Sequence, residues 1–128
     1  MTLLLDTQVF LWIFSVPERI SAVARRALRS EENELVFSVV SLWELALKVE
    51  ARKLDLPLNR DFVDHQLKEM GVSRILDVAP RHVYAMISIP RIHADPFDRL
   101  LAAQCVSENM RLVSADRIFR KYPVEVVW

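Results

Sequence analysis

Short apolar runs alternate along the chain with longer segments of helical periodicity. Continuously apolar runs predict buried strands at residues 3–5, 35–38, 75–78 and 111–114, with a last β-rich segment at 124–128. The segments between them predict helices at residues 9–15, 21–29, 41–52, 60–70, 81–89 and 96–109. Strands that are apolar throughout are typical of a mainly parallel sheet covered on both faces. The pattern therefore predicts an α/β fold, a three-layer α/β/α sandwich in a single domain over residues 1–128.

Two of the predicted helices carry capping signals at their starts. Ser41 and Glu44 have the spacing of a capping box, which predicts that a helix begins at Ser41. Asp95 is expected to cap a later helix, because Asp is a favoured N-cap and Pro96 suits the first helical position.

Composition excludes several classes of protein. Of the 128 residues, 52% are hydrophobic, which is enough to fill the core of one domain. The 17 basic and 17 acidic residues give a net charge of +0, so no overall basic field favours nucleic acid. The only glycine, Gly71, stands where it would end the helix at 60–70. Dinucleotide fingerprints, phosphate-binding Walker loops and nucleophile elbows all need more glycines and are excluded.

The histidines and the cysteine do not have the spacing of a zinc site. His65, His82 and His93 are not at helical ligand spacing, and we expect them at the surface or as caps. Cys105 is the only cysteine, and a lone thiol in an apolar helical pattern fits a reducing, cytoplasmic environment. The apolar run at residues 9–14 is too short to span a membrane and lacks the layout of a cleavable signal, so we expect no membrane association.

Five acidic residues stand at the ends of predicted strands or at the starts of predicted helices. In parallel α/β sheets ligands bind outside the carboxyl ends of the strands, so we expect these acids to share one edge. Four of them could equally serve as caps or first-turn acids. Asp6 is harder to explain as a cap, because it ends an apolar strand and no long polar helix start follows. The five are Asp6, Glu44, Asp95, Asp98 and Asp116.

Several carboxylates gathered within about 4–6 Å repel one another unless a cation lies between them. A divalent metal would remove that conflict. The donors would all be oxygens, with the hydroxyls of Thr7 and Ser114 as supporting groups. Such a set suits Mg²⁺ or Mn²⁺ and disfavours zinc or copper.

Four blocks of the sequence, at residues 3–7, 38–44, 95–104 and 114–119, carry these acids in order. Together they resemble the PIN-domain family, and within it the VapC-type toxins of bacterial toxin–antitoxin pairs. The resemblance spans nearly the whole chain. It implies an α/β sandwich with a parallel sheet, an acidic metal site, and Mg²⁺- or Mn²⁺-dependent ribonuclease activity. It also implies a cognate VapB-type antitoxin as partner and a homodimer.

Carried over by motif, the resemblance assigns the metal-binding and catalytic roles to Asp6, Glu44, Asp98 and Asp116. Asp98 is preferred to Asp95 because it heads the family's Asp-x-x-x-Ala-Ala pattern, which leaves Asp95 as a cap or a supporting residue. The chain departs from the family at two places. Gln8 stands where many relatives carry histidine, and residues 51–53 replace a turn that commonly contains glycine. Neither change touches the four acids.

The resulting hypothesis is attack on an RNA phosphodiester by a metal-activated water. Because carboxylates repel a polyanion, binding of RNA would need cations at the rim of the site. The candidates for these contacts are Arg99, Arg117 and Arg120, together with the basic face formed by Arg25, Arg26 and Arg29.

The aromatic residues near the acidic blocks are expected to lie mainly in the core. The alternative is a partly exposed groove that an antitoxin segment or a second chain would bury. The residues concerned are Phe10, Trp12, Phe14 and Trp43.

Two other functions are compatible with parts of this sequence. A catalytically silent PIN-like RNA-binding module would have the same fold. A receiver-type signalling domain also has this length and binds Mg²⁺ with acids. However, it needs paired acids after its first strand and a lysine near its last, which residues 3–7 and 124–128 do not supply.

Overall fold

The computed structural model describes residues 1–128 and contains five strands, six α-helices and two 3-10 helices. The strands are β1 (Thr2–Leu5), β2 (Glu34–Ser38), β3 (Val72–Leu76), β4 (Arg111–Val113) and β5 (Val126–Val127). The helices are α1 (Thr7–Ser15), α2 (Ala22–Arg29), α3 (Val39–Glu50), α4 (Arg60–Met70), α5 (Pro80–Ser88) and α6 (Pro96–Glu108). The 3-10 helices are Pro17–Arg19 and Arg117–Lys121. The predicted alternation of strands and helices is confirmed.

The five strands form one sheet in the order β3-β2-β1-β4-β5, and every neighbouring pair is parallel. The central strand is β1, where Leu4 lies beside Val36 of β2 and Leu112 of β4. Strands β2 and β3 extend the sheet on one side of β1, and β4 and β5 then extend it on the other side. The order therefore reverses between β1 and β4, and the crevice at their carboxyl ends is the usual ligand site of such sheets.

The core lies on both faces of the sheet. Successive residues of a strand point to opposite faces, and the two sides of β1 belong to different apolar clusters. Leu4 packs with Leu101 of α6 on one face, whereas Leu3 and Leu5 pack with Val9 of α1 on the other. All of these side chains are fully buried. This arrangement is the expected three-layer α/β/α sandwich.

Helix α3 begins earlier than the capping-box spacing predicts. The N-cap is Ser38, whose Oγ accepts a hydrogen bond from the backbone N–H of Val40 at 3.0 Å. Ser41 lies buried inside the helix, where its Oγ accepts a hydrogen bond from the hydroxyl of Thr7 at 2.9 Å. The predicted Ser41–Glu44 capping box is therefore wrong. The reason is that β2 passes directly into α3, so that the last strand residue is also the cap.

Strand β3 is also displaced from its predicted position. The apolar run at residues 75–78 predicts a strand there, but pairing with β2 begins at Val72, opposite Leu35. As the edge strand of the sheet, β3 is largely exposed, and its apolar pattern is correspondingly weak. The end of α4 was predicted correctly, since Gly71 adopts the left-handed conformation with φ +75°.

The turn after α3 places a non-glycine residue in the left-handed region. Arg52 has φ +56°, a conformation that glycine adopts without steric cost. This is the segment in which the sequence lacks the glycine-bearing turn common among relatives.

None of the helices combines the length and apolar character needed to cross a bilayer.

Ser38 provides a test of how β2, α3 and α6 are joined. Its Oγ caps α3 and also donates to Oε1 of the buried Gln104 at 2.5 Å. In Ser38→Ala the helix loses its cap and a buried amide oxygen loses its donor. We expect unfolding by urea to show a loss of about 2–3 kcal/mol.

Ser21→Ala is the matched control, because Ser21 caps α2 through the N–H of Ala24 and has no buried partner of this kind. It should lose about 1 kcal/mol. Equal losses in the two variants would contradict a contribution from the buried Ser38–Gln104 bond.

Candidate functional site

A cavity of about 410 Å³ lies at the carboxyl ends of β1 and β4. Its wall carries five carboxylates from four segments of the chain, with few apolar groups between them. Besides these acids it includes Thr7, Gln8, Trp12, Lys48 and Ala115. The acids are those that stand at strand ends and helix starts in the sequence, namely Asp6, Glu44, Asp95, Asp98 and Asp116. The fold thus brings all five together.

Asp6 is the most deeply placed of these acids, with 7% of its surface exposed. It directly follows β1, and its backbone N–H continues the sheet by donating to the carbonyl of Val113 at 3.0 Å. Burial raises the pKa of its carboxyl to about 7, and repulsion by Asp98 and Glu44 adds to the rise. The Ser114 hydroxyl opposes the rise in pKa by donating to Oδ2 at 2.7 Å.

Asp98 lies in the first turn of α6. Burial raises the pKa of its carboxyl to about 6, with further contributions from repulsion by Asp95 and Glu44. His93 counteracts this rise in pKa through a contact of 3.0 Å between its Nε2 and Oδ2 of Asp98. Two carboxyl groups with raised pKa values therefore face the same cavity.

The two acids of the α6 start have separate local roles. Asp95 is the N-cap, and its Oδ1 accepts hydrogen bonds from the backbone N–H groups of Phe97 at 2.9 Å and Asp98 at 3.3 Å. The side chain of Asp98 makes no capping bond. Asp95 starts the helix, as the sequence predicted, and Asp98 is left free to face the cavity.

Glu44 and Asp116 complete the acidic wall, and each has a partner of its own. Glu44 lies one turn before Lys48 on α3, with Oε2 3.1 Å from Nζ. Asp116 caps the second 3-10 helix by accepting from the N–H of Ile118 at 3.0 Å. Ser114 joins this acid to Asp6, because its Oγ also accepts from the N–H of Asp116 at 3.1 Å.

The acids surround the cavity without forming a closed set of ligands. No three His, Cys, Asp or Glu side chains lie close enough together to hold one ion in this arrangement. Each carboxylate is instead turned toward its protein partner, as mutual repulsion between like charges favours.

The arginines proposed as RNA contacts are not part of the cavity wall. Arg117 and Arg120 lie exposed on the 3-10 helix that Asp116 caps. Arg99 is half-buried on α6, and its Nε is buried without a hydrogen-bond partner.

Sequence reasoning missed two charged or polar residues at the site. Lys48 could have been found, because it stands four residues after Glu44 on the same helix. His93 gave no such signal, since it lies in the loop before α6 and only the folded chain brings it to Asp98. The expectation that histidines act as caps holds for the buried His82, whose Nδ1 accepts from the N–H of Ala79.

The aromatic residues divide between core and surface. Phe10 is fully buried, as expected, and packs against Phe37. Trp43 is 53% exposed, so the expectation of a core position is wrong for this residue. Trp12 is half-buried and lines the acidic cavity, with the Arg19 guanidinium 5.5 Å from its ring centroid.

The fold is a parallel α/β/α sandwich, and its candidate site is a group of carboxylates beyond the carboxyl ends of the central strands. The chain belongs to the PIN domain family, whose model matches residues 3–125. It is 30% identical over 122 residues to ribonuclease VapC22 of Mycobacterium tuberculosis, and the match covers 94% of this chain and 92% of that protein. The family resemblance inferred from the sequence is confirmed.

Solved structures with the same fold include two VapBC proteins. VapBC2 from Rickettsia felis, bound to a DNA fragment from its promoter, superposes with a TM-score of 0.69 at 16% identity, covering 98% of this chain and 97% of that one. VapBC-1 from nontypeable Haemophilus influenzae gives 0.65 at 15% identity, with 98% and 96% covered. The receiver-type alternative is wrong, because receiver domains have the strand order 2-1-3-4-5 and this sheet has 3-2-1-4-5.

The raised pKa of Asp6 predicts a stability that falls with rising pH in metal-free protein. The folded carboxyl holds its proton up to about pH 7, whereas in the unfolded chain it loses the proton near 3.8. Between these values the folded state therefore becomes progressively less stable. Asp6→Asn keeps an oxygen to accept from Ser114 but cannot ionise. In EDTA at about pH 7.5 we expect it to be on the order of 2–4 kcal/mol more stable than the unsubstituted protein.

At about pH 4.5 the gain should shrink to about 1 kcal/mol. Asp64→Asn, on the exposed face of α4, is the control and should change stability little at either pH. Denaturant unfolding at the two pH values measures both. A loss of stability in Asp6→Asn at the higher pH would contradict the argument.

Proposed function

We propose that this protein is a metal-dependent endoribonuclease and the toxin component of a VapBC-type toxin–antitoxin pair. The observation that carries the proposal is the meeting of Asp6, Glu44, Asp98 and Asp116, from four separate segments, in one cavity at the switch point of the sheet. Membership of the PIN domain family and the relative named a ribonuclease support it.

The donor set fits Mg²⁺ or Mn²⁺. Every acidic group around the cavity offers oxygen, and no cysteine or histidine lines the wall. Asp6, Asp98 and Asp116 would hold the ion, with Glu44 nearby. Small rotations of these side chains away from their present partners would be needed to complete the set. When bound, the ion supplies a polarised water for attack on an RNA phosphodiester.

The residues around the acids have supporting roles in this proposal. Ser114 fixes the carboxylate of Asp6 and the backbone of Asp116 through one hydroxyl. Lys48 holds Glu44 and brings a positive charge to the cavity. Arg117 and Arg120, exposed beside Asp116, would attract the RNA backbone, which the acids alone would repel.

The proposed partners are a VapB-type antitoxin and a second copy of the chain. Large apolar side chains remain exposed on two helices: Trp43 and Leu47 on α3, and Val83, Tyr84 and Ile87 on α5. Exposed apolar groups clustered on neighbouring turns are typical of surfaces that associate with other proteins.

A catalytically silent PIN-like module is the competing function. It is disfavoured because the raised pKa values of Asp6 and Asp98 cost stability at neutral pH, a cost that would gain nothing in a protein that does no metal chemistry. The two functions differ in whether cleavage depends on the acids.

The test is cleavage of a mixed cellular RNA pool by purified, antitoxin-free protein with Mg²⁺ or with EDTA. Asp98→Asn should reduce the Mg²⁺-dependent rate at least about 100-fold, because a ligand carboxylate is worth several kcal/mol in metal-assisted hydrolysis. Asp95→Asn is the matched control, since Asn is an equally good N-cap, and it should stay within about 5-fold of the unsubstituted protein.

Equal loss in both variants would place Asp95 in the metal site and overturn the assignment of roles. Cleavage that is unaffected by EDTA, or absent in folded protein, would overturn the proposed metal-dependent nuclease.

A further inference from the structure

Asp98 is tied to a buried tyrosine through a single histidine. Nε2 of His93 lies 3.0 Å from Oδ2 of Asp98, and Nδ1 of the same ring lies 2.6 Å from the hydroxyl of Tyr122. Tyr122 is 4% exposed, whereas His93 and Asp98 are partly open to solvent. The chain of contacts therefore runs from the interior to the acidic cavity.

The surroundings of the ring select one tautomer. The Tyr122 oxygen lies 3.4 Å from the backbone N–H of His93 and accepts from it, so its own proton is available to donate to Nδ1. At the other end an ionised carboxylate can only accept, so Nε2 must carry the proton. Both contacts of the ring thus fit the tautomer that carries its proton on Nε2.

Tyr122 is itself held in place by the segment that carries another acid. It directly follows the 3-10 helix that Asp116 caps, and its backbone N–H donates to the carbonyl of Phe119 at 3.1 Å. The rings of Phe119 and Tyr122 are in contact, and both are buried. The histidine therefore links the start of α6 to the segment after β4.

We propose that His93 is a positioning residue that acts through Asp98, and that Tyr122 sets its orientation. By donating to Oδ2, His93 leaves Oδ1 of Asp98 as the oxygen without a protein partner, free to bind a cation in the cavity. This inference rests on the proposed metal-dependent function. Hydrogen bonds to the outer side of a metal ligand fix its rotamer, and their removal weakens metal binding.

The alternative is that His93 only anchors the loop before α6. The two roles predict different responses to substitution. His93→Gln can place an N–H near the position of Nε2, whereas His93→Leu fills the space and donates nothing. An anchoring role is sensitive to packing and would affect stability in both variants. A positioning role needs the donor, so Gln should rescue what Leu loses.

The experiment measures Mn²⁺ affinity of the full-length protein by calorimetry, with thermal unfolding to confirm the fold of each variant. His93→Leu should weaken Mn²⁺ binding about 10-fold, and His93→Gln should remain within about 3-fold of the unsubstituted protein. Tyr122→Phe should lie between them. His65→Leu, at an exposed position away from the cavity, is the matched control and should bind Mn²⁺ unchanged.

A second readout needs no metal. Long-range ¹H–¹⁵N correlation spectra of the metal-free protein should show a histidine in the Nε2–H tautomer that disappears in His93→Gln. In Tyr122→Phe that signal should move toward a mixture of tautomers. The Nδ1–H form at His93 would overturn the inference even if one of the variants failed to fold.

The outcomes separate the inference from the proposed function. Equal Mn²⁺ affinity in His93→Leu and the unsubstituted protein would overturn the positioning role, whether or not RNA is cleaved. The predicted order of affinities without any RNA cleavage would support the positioning role and overturn the nuclease. No Mn²⁺ binding by the unsubstituted protein would overturn both.

Discussion

Electrostatic repulsion among carboxylates is the constraint around which this molecule is organised. The strand order of the parallel sheet reverses between β1 and β4, which leaves a crevice at the carboxyl ends of those strands. Five acidic side chains line this crevice. Burial then makes the repulsion costly, since the pKa values of Asp6 and Asp98 rise to about 7 and about 6. A cavity of this kind gains stability when positive charge enters it.

The protein limits that cost by giving each acid a separate partner. Ser114 donates to Asp6, His93 contacts Asp98, and Lys48 pairs with Glu44. Asp95 and Asp116 are turned toward backbone N–H groups at the starts of helices. These bonds hold the carboxylates around the cavity but stop short of a complete ligand cage. In our proposal the same partners keep the acids poised for a cation.

The fold class and the acids of the cavity could be predicted from the sequence, because both depend on local signals. Continuously apolar strands indicated the parallel sheet, and an acid directly after the β1 run had no simple capping role. Among the residues that contact the acids, Ser114 was expected from the sequence, whereas others were not. His93 contacts Asp98 only because of the path of the loop before α6. The N-cap of α3 is Ser38 and not the predicted Ser41, because β2 runs into α3 without a loop. Such contacts depend on tertiary geometry, which periodicity does not encode.

The most direct test of this account is thermal unfolding of the metal-free protein with and without Mn²⁺, with NaCl at matched ionic strength as the reference. If crowded carboxylates destabilise the fold until a divalent ion binds among them, Mn²⁺ at about 100-fold above its Kd should raise the Tm by about 5–10 °C. NaCl should raise it far less. Equal shifts with both salts, or no shift with Mn²⁺, would contradict the claim that the cavity is built to take a divalent cation.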